Sequence, residues 1–329
     1  MATRLRLSCC AVVAVAALGA HWRPAAHVAQ VVDLAGPRAD GRFVVSANSR
    51  LGLFRPPAAV TLFSPRYSPP GTEAYIARSP GQAVPGAGCR FPREAVYALD
   101  LEAHAGVVIE TRGNLTGKIE LPGPGLLDGV AFDTTGRFGH RLLVTRTDAG
   151  KTALFAIDCR NRVRTLTTTA PVVEGGLAVA PATFGRFAGD LIAPDELSGR
   201  IVALRPNGTA ATVAESKLPA GGDIGVESAG FVPRGFGPGG AAYLADRATP
   251  GNPHPGNDAI LALGGRSLRR AGVRPGDLLV ATEGGAQTIA VRCRARCAVR
   301  RVADGPPTAH AEGHIVFRTA ARRRAARAP

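Results

Sequence analysis

The sequence predicts an all-β fold assembled from repeated four-stranded units, and three observations carry that reading. The apolar runs are short, about four to seven residues, and are bounded by Gly, Pro, Asn and Asp, which is strand punctuation and not helix punctuation. An acidic residue recurs at or near the start of such a run, in Leu127-Asp128-Gly129-Val130-Ala131-Phe132, Glu174-Gly175-Gly176-Leu177-Ala178-Val179, Glu227-Ser228-Ala229-Gly230-Phe231-Val232 and Glu312-Gly313-His314-Ile315-Val316-Phe317. The copies repeat at roughly 45 to 55 residues, near the length of one four-stranded propeller blade.

The elements follow in order. After three of the acidic runs comes a turn with Phe-Gly, at Phe138-Gly139, Phe184-Gly185 and Phe236-Gly237. A second strand is expected at 141–145, 190–193, 242–245 and 277–281, and a third at 154–157, 201–204, 259–262 and 288–291, with Ala95-Val96-Tyr97-Ala98-Leu99 as a further copy. A fourth closes several units, at 163–166, 211–214 and 299–302. Units therefore fall at 74–122, 127–169, 174–215, 227–266 and 276–304. An N-terminal unit with runs at 42–45 and 59–63 lacks an acidic inner strand, and the spare run Glu312–Phe317 at the other end would supply one. The expected architecture is a six-bladed β-propeller over 31–317, with strands from both chain ends closing one blade and hiding its edges.

The ends set the compartment. Arg4 and Arg6 precede the apolar run Cys9–Ala20, which is too short for a stable membrane span, so 1–20 reads as an export signal and the mature chain as secreted or extracytoplasmic. In an exported chain an even number of remaining cysteines implies disulfides. Cys293 and Cys297 lie between two strand-like runs and would staple a hairpin, leaving Cys89 and Cys159 to pair. The net charge is +15, carried almost wholly by Arg, with Lys only at 118, 151 and 217. The Arg residues are scattered, with one cluster in 318–329 that has no apolar partners. That pattern argues for a disordered basic tail and against a nucleic-acid surface.

The Glu174–Val179 start followed by Gly189-Asp190-Leu191-Ile192-Ala193 resembles the six-bladed propellers of the NHL type and of the gluconolactonase-like, senescence-marker-protein-like family. The resemblance covers most of 40–317. It implies the propeller fold, and for the lactonase branch it implies metal-dependent hydrolysis.

Chemistry is expected where the inner strands begin, since those starts ring one mouth of the central channel. Asp128, Glu174, Glu227 and Glu312 would meet there, and converging carboxylates either share protons or hold a cation. A hard divalent cation such as calcium accepts several such oxygens. In an extended strand His310, Glu312 and His314 would share a face, which offers His310 and His314 as proton-handling groups. Pro194-Asp195-Glu196, Asp223, Asp246-Arg247 and Thr282-Glu283-Gly284 add further charge after inner or second strands. No phosphate-binding loop, dinucleotide fingerprint or serine nucleophile elbow is present. Two readings follow. One is a metal-dependent hydrolase of lactone, ester or sugar-derived substrates. The other is a non-catalytic propeller that binds a small molecule, glycan, peptide or protein at its mouth.

Overall fold

A computed structural model describes residues 20–64, 67, 73–100 and 105–320. The expected export signal lies almost wholly outside the described residues, as does the basic tail beyond 320. The described residues are all-β apart from one short α-helix, Gly265–Arg270, and two 3-10 turns.

Four four-stranded antiparallel sheets follow one another along the chain. The first holds Val31–Ala35, Phe43–Ala47, Arg50–Phe54 and Thr61–Ser64. The second holds Ile76–Arg78, Val96–Asp100, Ala105–Ile109 and Leu115–Glu120. The third holds Leu126–Phe132, Leu142–Asp148, Lys151–Ile157 and Val163–Ala170, and the fourth Ala178–Val179, Leu191–Asp195, Arg200–Leu204 and Ala210–Glu215. Ala83–Val84 and Cys89–Arg90 form a two-stranded ladder, and the other strands form a nine-stranded sheet that divides at one parallel bridge, Ala229 to His314. On one side of the bridge the order is Val226–Phe231, Leu278–Thr282, Thr288–Cys293, Cys297–Asp304 and Ala20–His21. On the other it is Ala311–Arg318, Ala241–Asp246, Ala259–Gly264 and Arg23–His27.

The apolar side chains show why these ladders close into a propeller-like ring. Both faces of each sheet are buried, and the period-two alternation of a strand sends successive residues to opposite neighbours. In the second sheet, Ile76, Val96 and Ala98 join a cluster with Val44 and Leu51 of the first. Ala77, Tyr97 and Leu99 join Val130, Val144 and Phe155 of the third. The same sorting links the third sheet to the fourth and the fourth to the Leu278–Thr282 ladder. It then links that ladder to the Ala241–Asp246 ladder, and the latter to the first sheet through Leu34, Phe43, Tyr243 and Val316. The inner strands of each ladder are gripped from two sides, and exposure is concentrated on the outermost strands.

Two expectations about strand pairing are corrected. Glu227 was assigned to the strands at 242–245 and 259–262, yet Val226–Phe231 pairs with Leu278–Thr282 instead. The Ala241–Gly264 hairpin reaches across to Ala311–Arg318, so the last two ladders are interlaced. Strands from both chain ends do share one ladder, but its middle strands are 241–246 and 259–264, not those of the first unit. The first unit has its own acidic inner strand, Val31–Ala35, with Asp33 at its centre.

Both expected disulfides are present, Cys89 to Cys159 and Cys293 to Cys297, with Cα separations of 5.9 and 4.0 Å. The first ties the second sheet's loop to the third sheet across a sequence separation of 70. Among the described residues no helix is long and apolar enough to cross a membrane.

Candidate metal centre

The inner strands are irregular where their acidic residues stand. The pairing register shifts between Leu127 and Gly129, so Asp128 is bulged, and between Val226 and Ser228, so Glu227 is bulged. A bulge adds an unpaired residue and re-aims a side chain. The segment after Glu174 crosses between two neighbouring inner strands. The Gly175 N–H donates to the Asp128 carbonyl at 2.9 Å and the Gly176 N–H to the Glu227 carbonyl at 3.0 Å. Gly175 has φ +79°, and a Cβ there would lie 2.4 Å from the Glu227 Cγ, so only glycine fits.

At the centre, His310 Nε2 lies 2.6 Å from Glu283 Oε1 and 3.4 Å from Glu312 Oε1. One ligand atom from each of Glu283, His310 and Glu312 falls within 4.8 Å of the others, and all three residues are buried. This group could hold a metal ion. Its backbone is fixed from two sides. The His310 N–H donates to Asp246 Oδ1 at 2.9 Å, and the Ala311 N–H to the Glu283 carbonyl at 2.9 Å. Arg247 Nη1 sits 3.3 Å from Glu312 Oε1 and 2.6 Å from Glu73 Oε1. The Tyr75 hydroxyl is hydrogen-bonded to Glu227 and, at 3.0 Å, to Glu312 Oε2. One hydroxyl proton cannot serve two anions. A protonated Glu227 that donates to Tyr75, which in turn donates to ionised Glu312, satisfies every partner.

The titration directions agree with that arrangement. Burial would raise Glu312, but the His310 hydrogen bond and the Arg247 charge hold it down at about 2. Burial, with the Glu312 charge behind it, pushes Glu227 well above the usual carboxylate range. Burial likewise carries Glu283 to about 9, and the charge on Glu312 adds to it. Burial would lower His310, but its bonds to Glu283 and Glu312 lift it to about 10. The Glu283–His310 pair therefore shares a proton tightly, each partner holding it more firmly than when free. At the half-buried rim, the Glu312 charge and burial push Glu73 to about 7, and burial pushes Glu174 to about 8. Asp128 is raised to about 7 by burial, and neither of its oxygens has a hydrogen-bond partner of normal geometry. Buried carboxyls crowded this way hold protons because they outnumber Arg247 and His310, the cations beside them, which fits a cation site whose ligands shed protons on binding.

The expected residues divide. Glu312 stands at the centre, Glu227 bonds it both directly and through Tyr75, and Glu174 lies between it and Asp128 as a proton-holding neighbour. His310 is part of the centre. His314 is not: the shared face expected for His310, Glu312 and His314 is broken at Gly313, whose φ is +63°. A Cβ on Gly313 would lie 2.4 Å from Asp33 Oδ1. His314 Nδ1 instead pairs with Asp33 at 2.9 Å. From the sequence, Glu283 and Arg247 read only as nearby charges, and Glu73 and Tyr75 are not singled out. Glu73 precedes the short apolar run Ala74-Tyr75-Ile76-Ala77, the same acidic-start signal as the other copies.

No family model matches the chain, and no curated protein matches it significantly. Among solved structures it is similar to virginiamycin B lyase from Staphylococcus aureus, at 9% identity and TM-score 0.47, covering 83% of this chain and 70% of that one. It is similar to a streptogramin B lyase at 8% identity and TM-score 0.48, covering 84% and 70%. A Lactobacillus plantarum protein is similar at 12% identity and TM-score 0.46, covering 90% and 88%.

Proposed function

We propose that this protein is an extracytoplasmic hydrolase that carries a divalent cation on Glu283, His310 and Glu312 and acts on lactone, ester or sugar-derived substrates. The carrying observation is the convergence of two buried carboxylates and an imidazole within 4.8 Å, ringed by carboxyls that hold protons. Two disulfides support the compartment, since such bonds persist where the surroundings are oxidising. The donor set departs from the all-oxygen shell expected for calcium: its imidazole suits zinc, while its two carboxylates suit manganese.

When bound, the ion would supply Lewis-acid polarisation of a carbonyl. The chain's own residues would do the rest. Glu174, at about 8 and half-buried at the rim, holds a proton at neutral pH and can pass it to a leaving oxygen. Arg247 holds Glu312 and Glu73 in place from the other side. Neither histidine takes the proton-shuttling role first expected of it, because His310 is a ligand and His314 is committed to Asp33.

The near-complete burial of His310 and Glu312 favours a second reading, a structural ion in a propeller that binds a ligand at its mouth without turning it over. Hydrolysis of gluconolactone and p-nitrophenyl esters by purified protein separates the two. The hydrolase reading expects turnover that chelation abolishes and that Glu174→Gln lowers by about 100-fold. A metal-loaded protein inert across that panel would leave the binding reading.

A further inference from the structure

The opposite end of the central axis has a different character. The C-terminal halves of the six inner strands enclose a cavity of about 340 Å³, at the lower end of the range for small-molecule sites. Ile76, Val130 and Leu177 form its inner wall, and Phe132, Phe231 and Phe317 stand on three different strands around it. Each of these rings is braced by an edge-on aromatic partner, Phe91, Phe184 and Phe236 respectively, so the walls are pre-formed. The floor offers no free donor at His314 Nδ1, which is engaged by Asp33.

One cation faces this apolar space. Arg78 lines the cavity, and its Nη1 pairs with Glu94 Oε1 at 2.6 Å. Arg38 Nε leans on the same carboxylate at 3.6 Å, and Arg93 lies near enough to repel Arg78. Glu94 thus answers more than one guanidinium. The Nε of Arg78 and the Nε and Nη1 of Arg38 are buried with no hydrogen-bond partner. Those buried atoms face away from solvent, so a ligand would meet the exposed part of the Arg78 guanidinium, whose charge a shared carboxylate only partly answers and whose geometry matches a second carboxylate.

We propose that this cavity is a second binding site, for a small amphipathic carboxylate whose apolar body fills the axial cavity and whose carboxylate pairs with Arg78. Nothing in the acidic centre is needed for it, so it stands or falls apart from the hydrolase reading.

Calorimetric titration of the mature protein with octanoate, and in parallel with octan-1-ol, tests it. Octanoate should bind saturably, one molecule per chain. Octan-1-ol should bind about tenfold more weakly, and Arg78→Gln should weaken octanoate by about the same factor, since a charge-assisted hydrogen bond of that size is lost. Ala178→Trp, which fills the cavity from its wall, should abolish binding. Methyl chemical shifts in the parent chain give a readout that does not depend on either variant folding, and they should move at Ile76, Val130 and Leu177. Lack of saturation, equal binding of the alcohol, or shifts confined to other methyls would overturn the proposal.

Discussion

His310 and His314 lie four residues apart near one end of the chain, and they end in opposite kinds of surroundings. His310 faces two carboxylates in a centre where acidic groups outnumber cations. His314 faces one, Asp33, which is buried and fully answered. Asp33 accepts N–H groups from Leu34, Ile76 and His314, as well as the His314 ring, and so ties three inner strands together. The His314 end is an electrostatically closed plug under an apolar cavity. The His310 end is a crowd of carboxyls that outnumber Arg247 and His310, so that several of them keep protons around an ionised Glu312. The pivot is Gly313, whose left-handed backbone turns the strand so that the alternation of an ordinary strand no longer holds.

The largest effect should come from breaking the closed end. Asp33→Ala strands a half-buried histidine and three backbone donors, and should cost about 3–5 kcal/mol in urea unfolding. Glu312→Ala removes an equally buried carboxylate but also relieves the repulsion it exerts on Glu73, Glu227 and Glu283, so its cost should be less than half of that. Equal losses would mean that the acidic centre is as well compensated as the plug.

Gly313→Ala should come next, at about 1–3 kcal/mol, because alanine must adopt a left-handed conformation against the Asp33 carboxylate. Thermal unfolding reads this directly. A neutral outcome would mean that the pivot tolerates a side chain and that the divergence of the two histidines has another cause.

The pH dependence is smaller and has a defined sign. His310, raised from 6.5 to about 10, contributes stability that is present below pH 6.5 and lost as pH rises through 10. Glu283, Glu174 and Glu73 are raised from 4.5 to between about 7 and 9, so the folded state also binds their protons more tightly. Their contribution likewise falls as pH climbs through that window. Glu312 acts oppositely, its share being lost only as pH falls from 4.5 towards about 2. Metal-free protein should therefore melt at a lower temperature at pH 9 than at pH 6, and added zinc or manganese should recover more at pH 9. A melting temperature that rises from pH 6 to pH 9 without metal would contradict the reading of the carboxyls as proton holders.

Much of this was legible in the sequence. Short apolar runs, acidic starts and Phe-Gly turns mark the repeated ladders because strand alternation and turn chemistry are local properties. The Cys293-to-Cys297 pair was equally plain, because a hairpin brings those ends together. Strand partnership was not legible in the interlaced pair. Nothing local in Val226–Phe231 says that its partner follows the Ala241–Gly264 hairpin, since only packing across the ring decides that. The centre was legible in its residue types and not in its membership. Glu283 comes from a loop after a second strand and Arg247 from the end of another, and only the closed ring brings them to Glu312. Asp33 was passed over because its acid sits mid-strand and no Phe-Gly turn follows.

The central claim is that the acidic mouth is a cation site built on Glu283, His310 and Glu312. Elemental analysis of the purified protein, beside a Glu283→Gln, His310→Gln double variant that retains the parent circular dichroism spectrum, tests it most directly. The account predicts one equivalent of a divalent transition metal in the parent, retained after dialysis, and none in the variant. A parent protein that holds no metal after incubation with zinc or manganese, or a variant that holds as much as the parent, would contradict it.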